Sequence, residues 1–263
     1  MLHLAISAAT RLAGAALLSA TMATAAVALP VFTWNPSAAG LTGSTFVGDN
    51  LIVSDFTTVV FTPSGGGATF TDEGILAVSG FQLGATPLVG TGLNSTFGLY
   101  FGFNATGTQN TPGFGATTVG VFDTLDFTLY GYNVTGPVSY TPLNVTPGGV
   151  VAPIALATGS LISGGVGATT IPGVAVVPNA NTLVTFTPTA AGAAFFEDPV
   201  PFYNAAFSAF TNNPSQVTFT PDGFVITQGG GSVNFLNNPV PEPASMMLFG
   251  MALVGLSMVR RRS

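Results

Sequence analysis

Between Arg11 and Arg260 the chain has no lysine, no arginine and no cysteine, and its one histidine is His3. These gaps close off whole classes of function. Without cysteine there is no disulfide, thiolate nucleophile or cysteine metal site. Without histidine, the body can build neither a Ser-His-Asp nor a Cys-His arrangement, and imidazole-bound transition metals are excluded too. Without a cation it cannot neutralise phosphates, which excludes nucleic acid as a partner. Internal salt bridges and positively charged oxyanion stabilisers go with it. The expectation is a protein that is not an enzyme and needs no cofactor.

Charge of either sign is scarce, at 5% of 263 residues, while Gly (34) and Pro (19) are plentiful. Mean hydropathy is +0.58, yet the apolar residues inside the body come in short runs broken by Gly, Pro, Thr and Asn. None reaches the length of a spanning helix. Polarity comes from hydroxyls and amides, a weak defence against edge-to-edge pairing of strands.

The body reads as strands. In Thr96–Asn104, Phe97, Leu99, Phe101 and Phe103 alternate with Gly98, Tyr100 and Gly102. Phe122–Tyr132 sets Leu125, Phe127 and Leu129 against Thr124, Asp126 and Thr128. Further strands are expected at Leu51–Thr62, Ile75–Leu83, Val150–Ala157, Thr182–Thr187, Gln216–Thr220, Phe224–Gln228 and Val233–Leu236, with Tyr203–Phe210 read as strand rather than helix. Gly/Pro turns separate them, among them Pro63-Ser64-Gly65-Gly66-Gly67 and Pro221-Asp222-Gly223. Such a pattern predicts an all-β body, a β-sandwich or jelly roll, over residues 29–239. Gly148–Gly173 lacks alternation and is expected to be an insertion or mobile loop.

Carboxylates are the only reactive groups left. Asp123 and Asp126, three apart in a strand, are expected on opposite faces. Asp72-Glu73-Gly74 and Glu197-Asp198-Pro199 look like turns at strand ends. Asp72, Glu73, Glu197 and Asp198 are therefore weak calcium candidates, since calcium takes oxygen ligands alone. On that basis a calcium-dependent, lectin-like carbohydrate module is the alternative function. A glycosidase pair would need two of these carboxylates to meet across a groove. Trp34 and the tyrosines are either packing lids or platforms for sugar rings.

The two ends differ from the body. Residues 1–28 read as a secretory signal peptide: Arg11, an apolar centre at Leu12–Leu18, and a small-x-small cleavage pattern at Ala26-Val27-Ala28. At the other end, Val240-Pro241-Glu242-Pro243 precedes an apolar run, Ala244–Val259, and then Arg260-Arg261-Arg262. The two prolines hold Glu242 in extended chain that joins neither helix nor sheet, open to an enzyme's cleft. As a transmembrane helix, the run of roughly sixteen residues would span about 24 Å. That is short of the ~30 Å hydrocarbon core, a shortfall that thinning and snorkelling can cover. The arginines then act as a stop-transfer signal.

Motif, apolar helix and arginine cluster in this order, over residues 240–263, resemble the PEP-CTERM sorting signal of Gram-negative bacteria. The resemblance implies a membrane-embedded exosortase as partner, cutting at Val240–Pro243. It further implies passage across the inner membrane, a transient anchor there, and a final place at the cell surface or in the extracellular matrix. Phe32-Thr33-Trp34-Asn35-Pro36 and Phe195–Tyr203 are more diffusely similar to flocculation-associated PEP-CTERM proteins. That second resemblance implies a role in biofilm or floc formation, with exopolysaccharide or other copies of the chain as partners.

Overall fold

The computed structural model describes residues 30–171, 175–198, 204–210 and 214–236. Its strands are β1 (Phe32–Trp34), β2 (Phe46–Gly48), β3 (Asn50–Ser64), β4 (Gly67–Leu83), β5 (Thr86–Pro87), β6 (Phe97–Gln109) and β7 (Val119–Asn133). After these come β8 (Ile154–Ile171), β9 (Ala175–Thr185), β10 (Thr187–Pro188), β11 (Phe196–Asp198), β12 (Asn204–Phe210), β13 (Val217–Thr220) and β14 (Gly223–Leu236). The only α-helix among the described residues is α1, Ala190–Phe195. No described helix is long and apolar enough to cross a membrane.

Following the pairings round gives a ring. β3 pairs β4, then β6, β7, β8, β9, β12 and β14 follow as successive neighbours, and β14 pairs back onto β3. Every one of these pairings is antiparallel. The body is therefore a closed up-and-down barrel, which corrects the expected sandwich or jelly roll. Each neighbour in the ring is also the next ring strand along the chain, with the shortest connections between β3 and β4 and between β8 and β9; only the β3–β14 pair joins distant parts of the sequence, with Leu51 opposite Val233. Closure also removes the long open edges that a threonine-rich sheet would otherwise expose.

The period-2 pattern decides what points inward. Along β3, Leu51, Val53, Asp55, Thr57, Val59 and Phe61 are all buried. Along β6, Phe97, Leu99, Phe101 and Phe103 are buried on the same inner side. Most threonines and asparagines of β4, β6 and β7 take outer positions, as do Glu73, Asp123 and Asp126, the reverse of a transmembrane barrel's apolar outside. On β7 a bulge lies opposite Thr106 and Gly107, and Asp123 and Asp126 are both exposed. The β3–β4 turn places Gly65 and Gly66 at φ +58° and +95°, as a tight hairpin requires.

One end of the barrel is plugged. Asn35 N–H donates to Phe195 O at 2.7 Å, and β1 pairs both β2 and β11 in a small second sheet. Trp34, fully buried, is ringed by Phe32, Phe46, Phe81, Phe195, Phe196 and Phe235, with centroids 5.1–6.3 Å away. Its Nε1 donates to Gly48 O at 3.4 Å. The two segments that carried the flocculation-type resemblance thus meet here as packing, and Trp34 is no sugar platform.

The long β7–β8 connection lies over the barrel's outer wall. Tyr140 stacks on Phe56, its hydroxyl is 2.8 Å from that of Tyr132, and Thr58 Oγ1 donates to Pro142 O at 2.7 Å. This explains why Tyr100, on the outward side of β6, is buried as well.

The Gly-rich stretch expected as a loop is instead mostly β8. Its glycines are spacing devices: a Cβ on Gly159 would lie 1.9 Å from Thr185 O. Gly192 in α1 does the same against β8, since a Cβ there would fall 1.7 Å from Leu156 O. Gly192→Ala should therefore destabilise the barrel by about 1–3 kcal/mol through overpacking. Gly113→Ala, with nothing within 4 Å of the new methyl, should stay within about 0.5 kcal/mol of the parent. Denaturant melts of the two variants check this.

Candidate functional site

The carboxylates singled out from sequence do not converge. Asp72 and Glu73 sit in the middle of β4, not in a turn, so their side chains leave on opposite faces. Asp72 points in and accepts from Thr57 Oγ1; Glu73 is exposed outside. Glu197 and Asp198 are both exposed on β11, and Glu197 Oε1 accepts from Asn35 Nδ2 at 2.6 Å. Among the described residues no three His, Cys, Asp or Glu side chains gather as a metal site. The signal cleavage residues Ala26 and Ala28 lie outside the described residues. So do Val240, Pro241, Glu242, Pro243 and Arg260–Arg262.

What the fold does assemble is a buried carboxyl that sequence reading passed over. Asp55 occupies an inward position of β3, between Leu76 of β4 and Gly229 of β14 in the register. It is 6% exposed, and its Oδ1 has no hydrogen-bond partner. Beside it a bulge interrupts the β3–β14 ladder, and the buried Gly229 and Gly231 bring no side chain to that level.

Two cavities of about 50 Å³ each adjoin Asp55, and Ala180 lines both. The first runs toward the unplugged end between Phe61, Phe70, Phe114 and Phe224. The second lies deeper, against Phe101, Phe103, Phe127 and Phe207. Phe114 roofs the first from the β6–β7 loop, stacked on Phe219 at 5.7 Å.

Burial is the main force on the acidity here. It holds the Asp55 carboxyl well above the usual carboxylate range, with the negative charge of Asp72 adding to it. Asp72 is pushed up to about 6, again chiefly by burial, with the Thr57 hydrogen bond acting the other way and Glu73 raising it. The consequence for stability has a definite sign. In the unfolded chain these groups ionise near 3.9. Above that pH the folded state keeps protons the unfolded state has lost, so stability falls as pH rises, for Asp72 until about 6. Asp55→Asn should flatten most of this slope and raise the melting temperature at pH 7.5 relative to the parent. Melts at pH 4.5, 6 and 7.5 read it, and an unchanged slope in the variant would contradict the assignment.

Outside, the walls of β4, β6 and β7 present a polar band: Thr69, Thr71, Asn104, Thr106, Thr108 and Thr124 are all exposed. Thr106 and Thr124 share a hydroxyl contact of 2.8 Å across the strands. Such a surface offers donors and acceptors without a cation.

Compared with known proteins, residues 239–262 match the model of the PEP-CTERM protein-sorting motif. No curated protein and no solved structure matches the chain. The motif implies an exported protein that passes the inner membrane and is processed by an exosortase.

Proposed function

We propose that this chain is a non-enzymatic surface or matrix protein whose barrel is delivered by its tail and then supports biofilm or floc cohesion. Exosortase cuts at Val240–Pro243 after the apolar run has anchored the chain in the inner membrane. Arg260–Arg262 hold the far end in the cytoplasm until the cut. The freed barrel associates with exopolysaccharide or with other copies of itself at the cell surface or in the extracellular matrix.

The observation that carries the reading is the sorting motif at 239–262. The exposed hydroxyl and amide band supports the polysaccharide half, because sugars are bound through many neutral hydrogen bonds and need no cation. Support for a non-catalytic role comes from the placing of the carboxylates: Asp55 is buried inside the barrel, while Glu73 is exposed on β4 and Glu197 and Asp198 are exposed on β11. The test is a clean deletion of the gene, scored for cell aggregation and matrix composition. Loss of aggregation, restored by the wild-type gene, is the expected result. Aggregation and matrix sugar unchanged by the deletion would refute the role.

A further inference from the structure

A carboxyl buried without a partner inside an apolar barrel is costly unless something answers it. Water brings no charge to an ionised carboxylate, and the polar side chains of the first cavity are already engaged: Gln109 Nε2 donates to Thr111 O and Gly113 O, Thr118 Oγ1 accepts from Gly115 N–H, and Asn179 Nδ2 donates to Thr169 Oγ1. No residue of the body can supply a counter-ion, since none between Arg11 and Arg260 is basic. A divalent metal is equally ill-matched, as calcium takes six to eight oxygens and Asp55 is the one carboxylate lining the cavities.

We propose that the barrel interior at Asp55 is a binding site for a small hydrophobic amine. The ammonium group sits on the Asp55 carboxylate and the apolar body fills the adjoining cavities. Three observations converge on this class. Asp55 lines both cavities with an unpartnered oxygen. Each cavity, at about 50 Å³, exceeds the ~10–15 Å³ that one water requires. Phenylalanines line both cavities, and aromatic rings attract a cation as well as an apolar body. An eight-stranded barrel is also about the size at which side chains leave room for one small ligand. Binding draws Asp55 into its ionised form, so the carboxyl proton passes to solvent while the amine keeps its own.

The test is calorimetry on the full chain in nanodiscs, with empty nanodiscs as the blank. Three probes of similar shape are compared: phenethylamine, uncharged 2-phenylethanol and anionic 3-phenylpropionate. Phenethylamine should bind about tenfold or more tightly than 2-phenylethanol, and 3-phenylpropionate should not bind. Its binding heat at pH 6 should vary between buffers of different ionisation enthalpy, reporting the released proton. Asp55→Asn, which keeps shape and removes the charge, should erase the preference for the amine. Ala180→Phe, which leaves Asp55 in place and fills the space both cavities share, should abolish binding of both the amine and the alcohol. The proposal is overturned if the amine gives no heat above the blank. It is overturned equally if amine and alcohol bind alike, if Asp55→Asn binds the amine unchanged, or if Ala180→Phe still binds it.

Discussion

Trp34→Ala should destabilise the barrel by about 3–5 kcal/mol, the usual range for truncating a large buried aromatic. The site is completely enclosed, and six phenylalanine rings lose their common neighbour. Edge-to-face pairs add to the area lost, and the Nε1 bond to Gly48 goes as well. In a domain of this size the melting temperature should fall by about 6–20 °C. Trp34→Phe, keeping most of the ring, should lose much less. The plug also ties the start of the described body to β11, so the damage should extend to both segments. Hydrogen exchange of β1 and β11 should rise together in the alanine variant. A Trp34→Ala protein that melts with the parent would mean that the plug does not hold this end.

Deleting Val240–Pro243 should have the largest effect on where the protein goes. The apolar run and arginines would remain, so the chain would still enter the membrane and stop there. Lacking the sorting motif, it should accumulate as an uncut precursor in the membrane fraction, with near-complete loss from the surface and medium. Glu242→Gln is a milder version that leaves both prolines in place. Cell fractionation followed by immunoblotting separates the two fractions. A barrel that reaches the surface unchanged without these residues would contradict the sorting account.

Much of the strand pattern was legible because it is local. Phe97, Leu99, Phe101 and Phe103 alternate in the sequence, and all four are buried on the inner wall. Turn chemistry placed the β3–β4 hairpin at Gly65-Gly66 for the same reason. Barrel closure was not legible, because it depends on β14 meeting β3, and alternation says nothing about partners so far apart. The expected strand Val150–Ala157 covers only the start of β8; the rest was not legible because its glycines carry no periodicity, and Gly159 is there to let Thr185 approach. Asp72-Glu73-Gly74 imitates a turn, yet Gly74 is a close-approach residue, with Phe56 O 2.2 Å from where a Cβ would stand. Asp55 could have been found. It falls on the apolar side of the alternation running from Leu51 to Phe61, where a lone carboxyl is out of place.

The interior carboxyls and the sorting tail lie in different parts of the sequence, and the proposals made for them can fail independently. The delivery account rests on the tail being removed. Mass spectrometry of the extracellular protein's C-terminal peptide tests that most directly. The account expects a chain ending at or before the Val240–Pro243 motif, with the apolar run and Arg260–Arg262 gone. An extracellular product that still ends in Arg260-Arg261-Arg262-Ser263 would contradict it.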